Sequence, residues 1–355
     1  MPPDNKDKAI KITLEDLANI NAPEIIGAVA PPAPPPGAAK VYGRVTEATG
    51  EIEQAPEEKG SLFLQGWFYL GLAGMVGALA GWGLCEPWFI DSAGGRAWQT
   101  FALVGLVVTL QCVAYAVAES VVERSPKKAL IRGGLAIPLG GVLSFVISII
   151  AGLVFVFATG IVVGLGVQTA RNPAFWIARG VAWMVLGAAA GLVYGIVGQS
   201  AKKTQYGVLG GVIGAGLGGI LCDPIALLTK GGALSRGVGF GLFGLATGIA
   251  MGLVESALKD RWLYVTAGPL AGKQFILYKS RTTIGSDQQN DIYLFKDPSI
   301  QRQHAIVEID GARVQIRGLG QTYVAGQPAR LQVLQTGTTL QIGRYAFRYQ
   351  ERHRK

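Results

Sequence analysis

Four groups of residues in this chain have the types and spacing of chemical sites. The first is a set of carboxylates in apolar surroundings: Glu86, Glu119, Asp223 and Glu255. An acid at membrane depth is costly to hold and often marks an ion or proton path, so these four form one candidate intramembrane polar site. Each also stands near the end of an apolar run, where a carboxylate can reach the interface and simply cap a helix. The second group, Gly214-Ala215-Gly216-Leu217-Gly218-Gly219, fits the G-x-G-x-x-G of dinucleotide loops. Such a loop needs a strand before it and phosphates within reach of water, and an apolar helix supplies neither. The third, Ser125-Pro126-Lys127-Lys128 and Ser200-Ala201-Lys202-Lys203, fits the S-x-x-K of serine acyl enzymes but lacks the K-T-G and S-D-N partners of that chemistry. The fourth is His304, His353, Cys85, Cys112 and Cys222. The three cysteines lie in or at the ends of apolar segments, and the two histidines lack suitable companions. No disulfide framework, metal or other cofactor is therefore expected. No catalytic residue is assigned, and the chain reads as non-enzymatic.

The elements that carry these residues are legible from composition. Half of the 355 residues are hydrophobic, only 15% are charged, and 51 are glycine. Apolar runs with glycine at small-xxx-small spacing indicate packed membrane helices. Six spans are predicted, over 62–84, 98–120, 131–155, 176–198, 205–224 and 237–258, each near the ~20 residues that cross a bilayer. They form three helical hairpins with internal repeats. Gly74–Pro87 (GMVGALAGWGLCEP) is copied in Gly211–Pro224 (GVIGAGLGGILCDP), each reading as a glycine-laced helix closed by an acid and a proline. Arg179, Gly187, Gly191 and Gly195 likewise match Arg236, Gly244, Gly248 and Gly252. Glu119-Ser120 and Glu255-Ser256 end corresponding helices. Gly133–Val167 is too long for one perpendicular span. It is either a tilted, extended helix or a helix with a re-entrant piece.

Orientation follows from the loops. Arg124, Lys127, Lys128, Arg132, Lys202, Lys203, Lys259 and Arg261 lie on one side, against Arg96, Arg171, Arg179, Lys230 and Arg236 on the other. The bias predicts a multipass bacterial inner-membrane protein with both termini in the cytoplasm. Residues 1–60 read as a disordered, proline-containing cytosolic arm, with a short helix at Ile12–Ile20, extended Ala30–Gly37 and an acidic stretch at Glu47–Glu58.

After Trp262 the period changes to two. Gln274–Tyr278, Ala305–Ile309, Arg313–Ile316 and Tyr345–Tyr349 read as strands, with turns at Asp310-Gly311 and Thr336-Gly337. Thr283-Ile284-Gly285, Asn290-Asp291-Ile292-Tyr293-Leu294, Asp297-Pro298-Ser299-Ile300, Arg302, His304-Ala305, Tyr323-Val324, Gly326, Leu340 and Ile342-Gly343 follow in one order. In that order and spacing the stretch 263–350 resembles the forkhead-associated (FHA) family. The resemblance implies an eleven-stranded β-sandwich whose loops at one end bind phosphothreonine peptides. It implies peptide-binding positions at Ser286, Gln301, Arg302, Gln321 and Thr322, and structural roles for Gly285, His304 and Gly326. In the family an Arg after Ile-Gly and a Ser three residues before the His hold the phosphate. Here those positions are Ser286 and Gln301, and the later loop Gly318–Thr322 lacks the family's Asn. The phosphate site is degenerate.

The fold class is thus a multidomain membrane protein. A glycine-rich all-α transmembrane bundle of about six helices in repeated hairpins, 61–260, is joined to an all-β FHA-like sandwich, 262–350, and a basic tail, 351–355. The charge of +9 lies partly in helix-flanking loops and is not a nucleic-acid signature. From Trp262 onward 13 Lys/Arg face 6 Asp/Glu, so this domain is drawn to anionic lipid or an acidic peptide. Two functions lead, beside a third in which the protein is a membrane scaffold whose sandwich only oligomerises. One is a membrane-anchored adaptor for a protein partner, such as a phosphothreonine peptide or Ser/Thr kinase substrate, and itself a candidate homo-oligomer. The other is a channel or transporter regulated by its sandwich. Thr13-Leu14-Glu15-Asp16 and Thr49-Gly50-Glu51-Ile52 are candidate internal ligands.

Overall fold

The computed structural model describes residues 58–90, 97–169, 171–229 and 231–352, all within one compact unit. The predicted short helix, the proline-rich stretch, the acidic stretch as far as residue 57, and His353 lie outside the described residues.

Six long apolar helices come first: α1 (Gly66–Cys85), α2 (Ala97–Val122), α3 (Pro126–Gly164), α4 (Pro173–Val197), α5 (Ala201–Thr229) and α6 (Gly232–Leu258). All six are long and apolar enough to cross a membrane. Local signals start them. The Asn172 side chain accepts from Ala174 N at 3.0 Å ahead of Pro173. The Ser200 hydroxyl accepts from Lys203 N at 3.3 Å and so opens α5. The S-x-x-K serine there is a helix cap.

Gly133–Val167 follows the first alternative, an extended helix: one helix of 39 residues runs to Gly164 with Pro138 inside it. One expectation needs correcting. Pro224 does not close α5, which continues to Thr229. Its copy Pro87 does follow a helix end, in a short 3-10 turn after Cys85. A proline inside a helix removes one ladder hydrogen bond but need not stop the helix when packing holds both sides.

Helices adjacent in sequence are adjacent in space, and α6 closes the ring against α1. The duplication visible in sequence is a duplication of interfaces. A Cβ on Gly187 of α4 would strike the Gly211 carbonyl of α5, and one on Gly211 would strike the Gly187 carbonyl. In the same way Gly244 of α6 lies on the Gly74 carbonyl of α1, and Gly74 on that of Gly244. Gly191 against Gly207 is repeated by Gly248 against Leu70, and Gly195 against Thr204 by Gly252 against Trp67. Backbones approach this closely only where at least one helix lacks a side chain at the contact. The α2–α3 interface is looser: the nearest atom to a Cβ on Gly140 would be Cys112 Cβ, at 3.0 Å. Most of α3 faces outward, with Val142, Leu153, Val156 and Phe157 exposed.

The two residues Lys259 and Asp260 join α6 to the sandwich. Eleven strands follow: β1 (Arg261–Ala267), β2 (Gln274–Ile276), β3 (Arg281–Gly285), β4 (Ile292–Tyr293), β5 (Ala305–Asp310), β6 (Arg313–Gly318), β7 (Thr322–Val324), β8 (Gln327–Pro328), β9 (Leu331–Val333), β10 (Thr339–Ile342) and β11 (Tyr345–Glu351). They form sheets of six (β2-β1-β11-β10-β7-β8) and five (β4-β3-β5-β6-β9) strands. Among the described residues, only β3 and β4 pair in parallel. Leu263, Val265, Phe347 and Tyr349 from one sheet pack on Ile284, Val307 and Ile316 from the other, all fully buried. Alternation at period two puts these residues on the inner faces. Gly311 and Gly337 take positive φ at the predicted turns.

Candidate functional site

The loops at one end of the sandwich hold the positions singled out from sequence. Gly285 ends β3 where a Cβ would collide with the Arg302 carbonyl. That contact lets Ser286 N donate to Gln301 O at 3.0 Å and Asp287 N to Arg302 O at 3.2 Å. His304 is buried, and both ring nitrogens are used: Nδ1 accepts from Gln301 N at 3.1 Å, and Nε2 lies 3.0 Å from Gln321 O. This assigns the proton to Nε2 and makes the imidazole a bridge between two loops. Gly320 packs against the ring, with no room for a Cβ. Gly326 (φ 84°), after Ala325 (φ 51°), forms the tight turn between β7 and β8. Asp297 fixes the 295–300 loop by accepting from Ser299 N at 3.0 Å and Arg344 N at 2.7 Å. Burial raises its carboxyl pKa, but these hydrogen bonds and Arg344 outweigh that and hold it below the ordinary range.

Of the five predicted peptide-binding residues, Gln301, Arg302 and Gln321 are exposed on these braced loops and Ser286 is half-buried. Thr322 is different. It is buried, and its hydroxyl donates to Gly320 O at 3.4 Å within its own loop. Sequence patterning put it in a loop, but Thr322 already pairs with Ile342 in the sheet.

A second cluster joins the sandwich to the helices. Gln288 Oε1, in the β3–β4 loop, accepts from Lys127 N at 3.0 Å and from the Ser125 hydroxyl at 3.3 Å. Lys128 Nζ donates to Asp291 O at 3.1 Å. Lys273 Nζ lies 2.7 Å from Glu123 Oε1, with both side chains under 5% exposed. Tyr278 donates to the Glu255 carboxylate, whose other oxygen accepts from Tyr194 at 3.3 Å. Burial first, then the Glu255 charge, pushes the Tyr278 phenol well above its ordinary pKa, so it stays a donor. Glu119 Oε2 takes both Lys203 Nζ at 2.8 Å and Arg132 at 2.9 Å.

The four repeated acids therefore fall at two ends. Glu119 and Glu255 stand at the sandwich end, in this cluster. Glu86 and Asp223 stand at the far end in equivalent ion pairs, Glu86 with Arg236 and Asp223 Oδ2 with Arg179 Nε at 2.9 Å. The Gly214–Gly219 stretch lies inside α5, its Gly214 and Gly218 pressed on the α6 backbone. Among the described residues, no group of three or more His, Cys, Asp or Glu could hold a metal ion. Sequence reasoning missed Lys273, Gln288, Glu123 and Tyr278. Lys273 and Glu123 are 150 positions apart.

Residues 264–353 match the family model described as the inner membrane component of T3SS, cytoplasmic domain. An oxoglutarate dehydrogenase inhibitor of Corynebacterium efficiens is 38% identical over 86 residues, covering 23% of this chain and 60% of that protein. The glycogen accumulation regulator GarA of Mycolicibacterium smegmatis is 35% identical over 86 residues, covering 23% and 54%. The chain thus spans about 60% or less of the length of these relatives. Among solved structures, the FHA domain of CT664 from Chlamydia trachomatis is 29% identical, covering 27% of this chain and 100% of that one at a TM-score of 0.25. The cytoplasmic domain of the T3SS sorting platform protein PscD from P. aeruginosa is 22% identical, covering 27% and 83% at a TM-score of 0.25. The family match and the eleven-stranded sandwich place the C-terminal domain in the forkhead-associated type, carried behind six membrane-capable helices.

Proposed function

We propose that this protein is a membrane-anchored adaptor whose FHA-type domain captures a protein partner at the cytoplasmic face of a bacterial inner membrane. The observation that carries the reading is the pair of exposed loops bearing Gln301, Arg302 and Gln321, held rigid by the buried His304 bridge. A preorganised, exposed loop platform on a rigid scaffold is suited to recognition and loses little entropy on binding. Its phosphate chemistry is reduced. Ser286 and Gln301 stand where the family carries its gripping Arg and Ser, and each lost charge-assisted contact is worth about 1.5–3 kcal/mol. Arg302 is the exposed cation left beside them, so the partner is read mainly through its backbone and side chains, with phosphothreonine a weak contributor. Lys127, Lys128, Arg132, Lys202, Lys203 and Lys259 gather at the sandwich end, which supports a cytoplasmic placement.

The test is capture from lysate by the full chain in detergent, with and without phosphatase. Partners survive phosphatase and fall away in Arg302→Glu, whose thermal midpoint stays that of the parent. Capture only from untreated lysate replaces this reading with phosphopeptide recognition. Capture unaffected by Arg302→Glu removes these loops from the role.

One observation favours a second reading, a channel or transport bundle regulated by the domain. Tyr278 and Lys273 of the sandwich hold Glu255 and Glu123 at the helix ends. Ion flux in proteoliposomes that disappears in Glu119→Gln or Glu255→Gln, while partner capture persists, supports it. Absence of flux in the parent ends it.

A further inference from the structure

Between the start of α3, the end of α4 and the sandwich lies a cavity of about 340 Å³. Five cationic side chains line it against three carboxylates. The carboxylates are already held: Glu119 by Lys203 and Arg132, Glu123 by Lys128 and Lys273, and Asp291 by Lys279. Lys127 is exposed, and among the described residues only its backbone N–H is committed, to Gln288. Arg132 gives one nitrogen to Glu119. A guanidinium has five N–H donors, so donors remain for an anion.

The cavity does not end in protein. It shares Leu135, Val197 and Gln199 with an apolar groove of about 540 Å³ between α3 and α4, lined further by Pro138, Leu139, Val142 and Ile196. Along α3, Lys128, Arg132, Leu135, Leu139 and Val142 recur at intervals of four and three, which puts them on one helical face. That face is cationic for its first two turns and apolar beyond. The change of character lies where α3 leaves the sandwich and enters the apolar belt of the bundle. A ligand matching it must be an amphiphile, with an anionic head at the helix start and a hydrocarbon chain along the helix.

We propose that this cavity and groove bind one anionic phospholipid, its phosphate among Lys127, Lys128 and Arg132 and an acyl chain along Leu135, Leu139 and Val142. Charge complementarity selects the head, because two cations exceed the carboxylates in this cavity. The sandwich supplies Lys279 and Gln288 to the same cavity, so the bound lipid touches both parts of the molecule.

Native mass spectrometry of the full chain in detergent tests this. Phosphatidylglycerol is titrated against phosphatidylcholine with the same chains and against glycerol phosphate. The expected result is one phosphatidylglycerol adduct at concentrations where the other two give none. Lys127→Glu weakens that adduct at least about fivefold, the effect of one cation near an anionic surface. Val142→Trp, which fills the groove at an exposed position and leaves the charge unchanged, weakens it as much. Val156→Trp, exposed elsewhere on α3, does not. Equal binding of the two lipids overturns the proposal. So does equal binding of glycerol phosphate, which marks a soluble phosphate site. A loss in Lys127→Glu with none in Val142→Trp also overturns it, since that is surface charge attraction alone.

Discussion

At the scale of single residues, burial decides which charges matter. Lys273 and Glu123 meet 2.7 Å apart with 3% and 4% of their side chains exposed, and they join strand to helix. Removing one partner strands the other without solvent, a loss of about 3–5 kcal/mol. Lys273→Ala is therefore expected to lower the thermal midpoint and expose the β1–β2 turn to limited proteolysis, while Lys273→Met with Glu123→Leu recovers most of the loss. Surface pairs such as Arg317–Glu308, with the arginine 51% exposed, should show almost nothing on the same assay. Asp291 sets an acid limit. Burial raises its pKa, but Lys279 and the two Thr283 donors more than offset this and hold the carboxyl below its ordinary 3.8. A depressed folded pKa means that the stabilisation is present above 3.8 and is lost as pH falls through the lower folded value. Acid titration of the thermal midpoint should decline below about pH 4, and Asp291→Asn should flatten that limb while lowering the plateau.

At the scale of elements, the glycines act as interfaces. Gly187 with Gly211 and Gly244 with Gly74 are the same backbone contact made twice. An added methyl there meets a carbonyl, which cannot rotate away. Gly187→Ala and Gly244→Ala are expected to cost at least the ~1–3 kcal/mol of core overpacking, seen as a lower midpoint in detergent. Gly160→Ala is the control, since nothing lies near a Cβ at that position, and a helix gains slightly from the change. Equal effects at Gly160 and Gly187 would contradict the interface assignment. The far-end pairs repeat as well, Arg236 with Glu86 and Arg179 with Asp223, so each duplicated interface is closed by an ion pair.

At the scale of the whole molecule, the sandwich is seated on the bundle. Only two residues separate α6 from β1, and Arg352 N donates to Asp260 O at 2.8 Å, returning the last strand to the same junction. Gln288 ties the β3–β4 loop to the start of α3. A domain held this way reports its position through the bundle. In a chain lacking Cys85, Cys112 and Cys222, Ser299→Cys should react with an impermeant maleimide only after the cytoplasmic side is opened. Labelling in intact spheroplasts would reverse the orientation proposed above.

Composition and period alone determined the division into six apolar helices and a β-sandwich, because apolar run length and side-chain alternation are local properties. The repeated Gly74–Pro87 and Gly211–Pro224 stretches were equally legible, since duplication is written in residue order. Gly285, His304 and Gly326 were named from the FHA motif. Tertiary structure decided the rest. That Pro224 continues a helix, that Gly133–Val167 is one helix, and that Thr322 points inward all depend on what packs against those residues. So does the fate of the four acids. Glu86 and Asp223 look the same as Glu119 and Glu255 in sequence. Only the fold puts the first two opposite arginines at one end and the others under the sandwich, because the partners of a charge come from distant parts of the chain.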